Sequence, residues 1–197
     1  SKNNENSLDM WIFLNWLPII TIELKNQLSG QNVKNSISQY RNDRDPKENL
    51  FNFKRCLVHF AVDTDYVFMS TKLEGWKTFF LPFNKWDNNN WAGNPVNSNG
   101  YKTAYFYEDI LSKDRLLDII WNYMILEKQT QENNKWKKVE KETLIFPRYH
   151  QLDCVTKLKE DVQQKQSGNN YLIQHSAGSG KSNSIAWLSH QLAEIHN

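Results

Sequence analysis

Apolar residues change their spacing several times along this chain, and each change predicts a different element. Residues 10–14 and 17–24 are dense in Trp, Ile, Leu and Phe, which predicts two strands. Asn15-Trp16 between them fits a two-residue hairpin turn, although it lacks the glycine such turns favour. Past Gly30 the spacing lengthens. Val33, Ile37 and Tyr40 recur at three- and four-residue steps, predicting an amphipathic helix over 31–43 that Asp45-Pro46 ends. Residues 56–62 and 66–71 return to strand-like runs around Asp63-Thr64-Asp65. They predict a second hairpin, with a further apolar run at 78–83.

The stretch 84–100, rich in Asn, Gly and Pro, predicts a long loop or linker, and the first domain boundary falls just beyond it. This gives two units, 1–105 and 106–197. Residues 107–126 read as helical with a break near Ser112, placed to cap a second helix through the amide of Arg115. Residues 127–146 alternate in patches around Glu132-Asn133-Asn134 and predict an exposed hairpin. Pro147 suits a helix start, and Leu152, Val155 and Leu158 give 151–164 one apolar face. A short polar loop then leads to a predicted strand, Tyr171-Leu172-Ile173-Gln174, a glycine-containing loop and a helix over 181–195. Strand, loop, helix is the layout of a parallel α/β nucleotide site.

Composition narrows this picture only a little. The 197 residues are 39% apolar and 23% charged, as in an ordinary globular protein, and can bury one large or two small cores. A formal charge of +2 decides nothing about nucleic acid, because a local basic patch matters more than the total. Cys56 and Cys154 have no metal-ligand spacing around them and fit a reduced chain. The apolar run 10–22 is interrupted by Asn15 and Pro18 and is shorter than the about 20 residues of a bilayer span. With a polar, Asn-rich start and no signal-peptide pattern, the expected location is the cytoplasm, away from membranes. The histidines suggest no metal site, and His59 alternates within an apolar strand as a packed residue would.

Two constellations carry chemistry. The first is His175-Ser176-Ala177-Gly178-Ser179-Gly180-Lys181-Ser182, between a predicted strand and a predicted helix. Small residues let successive backbone amides wrap a phosphate, and the helix N-terminus adds a favourable dipole. Lys181 would reach the β- and γ-phosphates and the Ser182 hydroxyl would ligate Mg²⁺, with Ala177, Gly178, Ser179 and Gly180 lining the cradle. The general motif opens on Gly where this chain has His175. A plain glycine-rich helix entry is the blander reading, and the flanking strand and helix argue against it. Upstream, Arg148-Tyr149-His150-Gln151 places a Gln about one helix before the loop, where its amide can pair with an adenine edge. Arg-x-x-Gln in this position resembles the adenine-reading Q-motif of superfamily 2 helicases and translocases.

The second is Asp9 with Glu23-Leu24-Lys25. On a strand, positions 23 and 25 share one face while Ile20, Ile22 and Leu24 share the other, expected to be the buried one. If 10–14 is the hairpin partner, Asp9 returns beside Glu23. Two carboxylates then hold Mg²⁺, and Lys25 lies by the attacking water or the charge developing on a phosphate. Any amphipathic edge strand with Glu and Lys on its wet face would give the same pattern.

Together the two constellations resemble the R subunit of type I restriction enzymes. The phrases Leu17-Pro18, Ile22-Glu23-Leu24-Lys25-Asn26, Gln39-Tyr40-Arg41, Asp43-Arg44-Asp45-Pro46, Phe146-Pro147-Arg148-Tyr149-His150-Gln151 and Tyr171 through Ser182 are similar to that family. The likeness extends from about residue 8 to the C-terminus and weakens across the Asn-rich loop and 127–141. It implies a mixed α/β architecture: part of a restriction-endonuclease-like PD-(D/E)xK domain in 1–105, then the start of a RecA-like superfamily 2 motor lobe in 106–197. Asp9, Glu23 and Lys25 take the nuclease triad's places. Gln39 fills the Gln of a Gln-x-x-x-Tyr element whose Tyr position is Asp43 here. The resemblance also implies ATP and Mg²⁺ as cofactors, duplex DNA as substrate, and methyltransferase and specificity subunits as partners. On this reading the chain is an internal fragment, because no Asp-Glu-x-x box follows Ser182.

Two other readings remain open from sequence. One is a superfamily 2 DNA motor whose upstream part only binds DNA, with Glu23 and Lys25 as surface charges. The other is a non-motor phosphate-loop enzyme such as a small kinase.

Overall fold

The computed structural model describes residues 7–86, 93–132, 138–166 and 168–195. Its first strands are β1 (Met10–Leu14) and β2 (Leu17–Leu24), an antiparallel pair. Asn15 and Trp16 have φ of 48° and 68°, so both turn residues are left-handed, as a two-residue hairpin matching the strand twist requires. A register shift between Ile12 and Phe13 sets Phe13 opposite Pro18, an irregularity suited to a residue without a backbone N–H.

Helix α1 (Val33–Asn42) crosses from β2 to β3 (Val58–Val62), which lies parallel to β2. Asn32 caps α1 by accepting from Lys34 N–H at 2.9 Å, and Asp63 accepts from Val33 N–H at 2.8 Å. Strands β4 (Val67–Ser70) and β5 (Leu81–Pro82) extend the sheet antiparallel, giving the order β1-β2-β3-β4-β5. Every residue of β3 is buried, because this central strand is covered on both faces. Val58, Phe60 and Val62 enter one core; Ala61 enters the other, with Val33 and Tyr40 of α1.

A π-helical turn (Phe106–Ile110) precedes α2 (Lys113–Asn122), so the predicted break near Ser112 is present. Ser112 occupies the N-cap position but makes no side-chain capping bond, contrary to expectation; its backbone carbonyl accepts from Leu116 N–H. Helical structure ends at Asn122 rather than 126, since Ile125 and Leu126 already pair with Ile145 and Leu144 in a ribbon of β6 (Ile125–Glu132) and β7 (Lys138–Ile145). The turn of that ribbon lies outside the described residues. Helix α3 (Tyr149–Lys165) follows, then α4 (Lys181–Ile195), at the predicted boundary.

Residues 171–174 form no strand, which corrects the sequence expectation. A strand exists only through ladder partners, and among the described residues none pairs with this segment; Leu172 is 96% exposed. The loop beyond β5 is anchored on both sides of its undescribed part. Buried Asn94 donates to Asp65 O and Asn84 Oδ1 and accepts from Lys85 N–H. One apolar core runs across residue 105. Phe60 packs on Phe83, Phe106 and Phe146, and the cluster continues through Leu152 and Val155 of α3 to Trp187 of α4.

Buried between β3 and α1 is His59, whose Nδ1 lies 2.7 Å from Thr21 Oγ1. Burial lowers its imidazole to about 3 from an ordinary 6.5. Between these values the unfolded chain binds a proton that the folded one refuses, so stability present above 6.5 is lost as pH falls, by up to about 1.4 kcal/mol per pH unit. Urea midpoints measured from pH 7 to 4 should fall more steeply for wild type than for His59→Gln. Parallel profiles would show that His59 has no part in the acid sensitivity.

Candidate functional site

The hairpin register pairs Met10 with Ile22, which sets Asp9 opposite Glu23. Asp9 Oδ2 accepts the Leu24 backbone N–H at 2.8 Å, and Lys25 Nζ lies 3.9 Å from the same oxygen. The three residues expected to act together are therefore gathered at one end of β1 and β2. One expectation fails: Glu23 is not on a wet face. Residues Ile20 through Glu23 are all buried, because α1 covers the side that carries Thr21 and Glu23.

Glu23 is fully buried, and its Oε1 receives both Nε and Nη2 of Arg44, at 2.8 and 2.5 Å. Its Oε2 is buried with no hydrogen-bond partner among the described residues. Burial pushes the Glu23 carboxyl up to about 7, the Arg44 guanidinium opposes that rise, and the Asp9 carboxylate adds to it. An orphaned carboxylate oxygen beside a second carboxylate is an arrangement that a divalent cation would satisfy. No group of three or more His, Cys, Asp or Glu side chains able to hold a metal occurs among the described residues. A cation here would take one or two carboxylates and complete its shell with water or substrate oxygen, which is the habit of Mg²⁺ rather than of Zn²⁺. The residues present fit Mg²⁺.

Gln39 stands half-buried on α1 and makes no side-chain hydrogen bond to Asp9, Glu23 or Lys25 among the described residues. Its neighbours Tyr40 and Arg44 face the site instead. The Tyr40 hydroxyl lies 2.9 Å from Thr21 Oγ1, two residues before Glu23 on the same strand face. Arg44 was not singled out from sequence. Its signal was present in two forms: a four-residue step from Tyr40, and one of only five arginines in a lysine-rich chain.

The second constellation forms a loop between α3 and α4. Gly178 and Gly180 have φ of 71° and 81°. Gly180 O accepts from Asn183 and Ser184 N–H in the first turn of α4. The positive φ of Gly180 favours glycine, and a Cβ there would also displace the Gln151 side-chain amide. Ala177, Gly178, Lys181 and Ser182 are exposed, while Ser179 is buried. Lys181 Nζ folds back over the loop and donates to Ser176 O at 2.9 Å and His175 O at 3.3 Å.

Gln151 is buried, and its amide is held at both ends. Its Nε2 donates to Gly180 O at 2.8 Å, and its Oε1 accepts from Arg148 N–H at 2.9 Å. It clasps the phosphate-type loop to the start of α3, with one N–H of Nε2 and one lone pair of Oε1 engaged. Arg148 and Gln151 line a cavity of about 300 Å³ with Ser179, Gly180, Lys72 and Glu74. His150 adds a second tie, with Nε2 3.0 Å from Ser179 O and its ring 4.9 Å from that of His175. Burial lowers the His150 imidazole further. Trp86 is half-buried with its ring 6.1 Å from His150; Trp91 lies outside the described residues.

Comparison with known proteins bears on the family that the motifs resemble. Residues 1–78, which contain Asp9, Glu23, Lys25 and Arg44, match the family model described as Type I restriction enzyme R protein N terminus (HSDR_N). A type I restriction enzyme MjaVIIIP endonuclease subunit from Methanocaldococcus jannaschii is 28% identical over 196 residues, 95% of this chain. The chain spans only 17% of that relative's length. The resemblance read from the motifs is thereby borne out: residues 1–78 are similar to the N-terminal region of type I restriction R proteins. No helix among the described residues is long and apolar enough to cross a membrane.

Proposed function

We propose that this chain, with its type I restriction R-protein region, joins a Mg²⁺-dependent DNA endonuclease site to the nucleotide-binding start of a DNA translocase. The observation that carries the nuclease half is the unpartnered Glu23 oxygen beside Asp9, with Lys25 at the edge of the pair. A strand that merely presented surface charge would not bury Glu23, so the reading of Glu23 and Lys25 as solvated charges is the weaker one.

Asp9 and Glu23 would hold the cation, brought opposite each other by the β1–β2 hairpin register. Bound Mg²⁺ supplies polarisation of a phosphoryl oxygen and a more acidic water. Lys25, on the strand end beside Asp9, offers positive charge where negative charge develops on the phosphate. In the other half, Lys181, which here donates to the His175 and Ser176 carbonyls, would hold the β- and γ-phosphates of ATP, and Ser182 would ligate the nucleotide's Mg²⁺. Ala177, Gly178, Ser179 and Gly180 wrap the phosphates, while Arg148 and Gln151 stand on the base side. The mixed sheet is read as part of a PD-(D/E)xK domain, and α3 through α4 as the entry to a RecA-like superfamily 2 lobe. Within the whole enzyme, methyltransferase and specificity subunits choose the DNA, and the R subunit pulls duplex past the complex and cuts it in the cytoplasm, against foreign DNA.

Two separate Mg²⁺ requirements follow. In the assembled full-length enzyme, a chelator of divalent cations should stop both duplex cleavage and ATP turnover. Removing ATP with Mg²⁺ retained should stop cleavage of long unmodified DNA. Cutting that persists in excess chelator would remove the metal site from the account.

A further inference from the structure

The two site carboxylates are held at one end by a single arginine. Arg44 directs Nε and Nη2 at Glu23 Oε1, and the same Nη2 donates to the Ser7 carbonyl at 2.6 Å. Ser7 lies two residues before Asp9, so the guanidinium bridges the segment that bears one carboxylate to the side chain of the other. Asp9 is fixed from its far side by the Leu24 N–H. Tyr40, in the last turn of α1, bonds to Thr21 on the same strand, and Arg44 follows two residues past the end of that helix.

We infer that Arg44 is a positioning residue for the divalent-cation site. Its fork occupies one oxygen of Glu23, leaves the other for the ion, and sets the distance from Glu23 to Asp9 through Ser7. The inference rests on the nuclease reading above, and it assigns Arg44 no contact with DNA or with the reacting phosphate. Only arginine does this task in full. A lysine ammonium can neutralise Glu23, but it has no planar fork that reaches a carboxylate and a backbone carbonyl together. Arg44 is 4% exposed, so its charge cannot serve as a general steering charge for DNA.

The test is Mn²⁺ binding to the 197-residue chain, read as free Mn²⁺ by electron paramagnetic resonance, with thermal unfolding followed on the same samples. Wild type should bind Mn²⁺, and Glu23→Gln should lose it. Arg44→Lys should unfold near the wild-type temperature yet bind about tenfold more weakly, and Arg44→Ala up to about a hundredfold, as found when the groups orienting metal ligands are removed. Arg44→Lys keeps a cation beside Glu23, so it answers the question even if Arg44→Ala does not fold. Should Arg44→Lys bind Mn²⁺ as tightly as wild type or more tightly, Arg44 is a counter-ion that the metal displaces and the inference fails alone. Should wild type and Glu23→Gln both leave Mn²⁺ free, the metal site itself fails and takes the inference with it.

Discussion

Asp9→Ala, Glu23→Ala and Lys25→Ala are each expected to slow DNA cleavage by the full-length enzyme by about 10²–10³-fold or more, with ATP turnover near its wild-type rate. The two sites use different residues on different elements: the carboxylates lie on the β1–β2 hairpin, and the phosphate-type loop lies between α3 and α4. Asp9→Ala also removes the acceptor for the Leu24 N–H, and Glu23→Ala leaves Arg44 buried with only the Ser7 carbonyl. Glu23→Ala therefore carries a stability cost as well, because a buried charge loses its partner. Linear-DNA cleavage, triplex displacement as a measure of translocation, and phosphate release separate the effects. Cutting at wild-type rates by all three variants would reduce the triad to a charged strand end. Joint loss of ATP turnover would instead place the defect in folding or in coupling through the continuous core around Phe60 and Phe146.

Lys181→Ala is the second large effect. ATP turnover by the assembled enzyme should fall by at least about 10²-fold, and translocation and ATP-dependent cleavage should be lost with it. In the chain alone, Lys181 ties the loop to itself through the His175 and Ser176 carbonyls, two exposed bonds whose loss costs little stability. The variant should accordingly unfold close to the wild-type temperature. Wild-type phosphate release by this variant would rule out the loop as the nucleotide site.

Local rules made much of this legible. The hairpin of β1 and β2 followed from two apolar runs around a two-residue turn, and both turn residues took the left-handed conformation without glycine. The α1 and α3 spans followed from apolar spacing and from their start and stop residues, and α4 from its place after the glycine-containing loop. The gathering of Asp9 with Glu23 and Lys25 was also readable, because hairpin register is a local property. What depended on distant packing was not. Burial of Glu23 comes from α1 folding over β2 after a crossover, and so the wet face expected for it does not exist. Arg44 entered the site by the same route. The segment 171–174 has strand composition, yet composition cannot supply the neighbouring strands that define one. Gln151 has the residue type that pairs with adenine, but its bond to Gly180 O belongs to tertiary contact between α3 and the loop before α4.

The most direct test of the account is Glu23→Gln in the assembled enzyme, with cleavage of linear unmodified DNA and phosphate release followed in one reaction. The amide keeps the volume of the carboxylate and can still accept from Arg44, so the fold is retained while the metal-binding charge is lost. The account predicts phosphate release at the wild-type rate with DNA left uncut. Cleavage at the wild-type rate would contradict it.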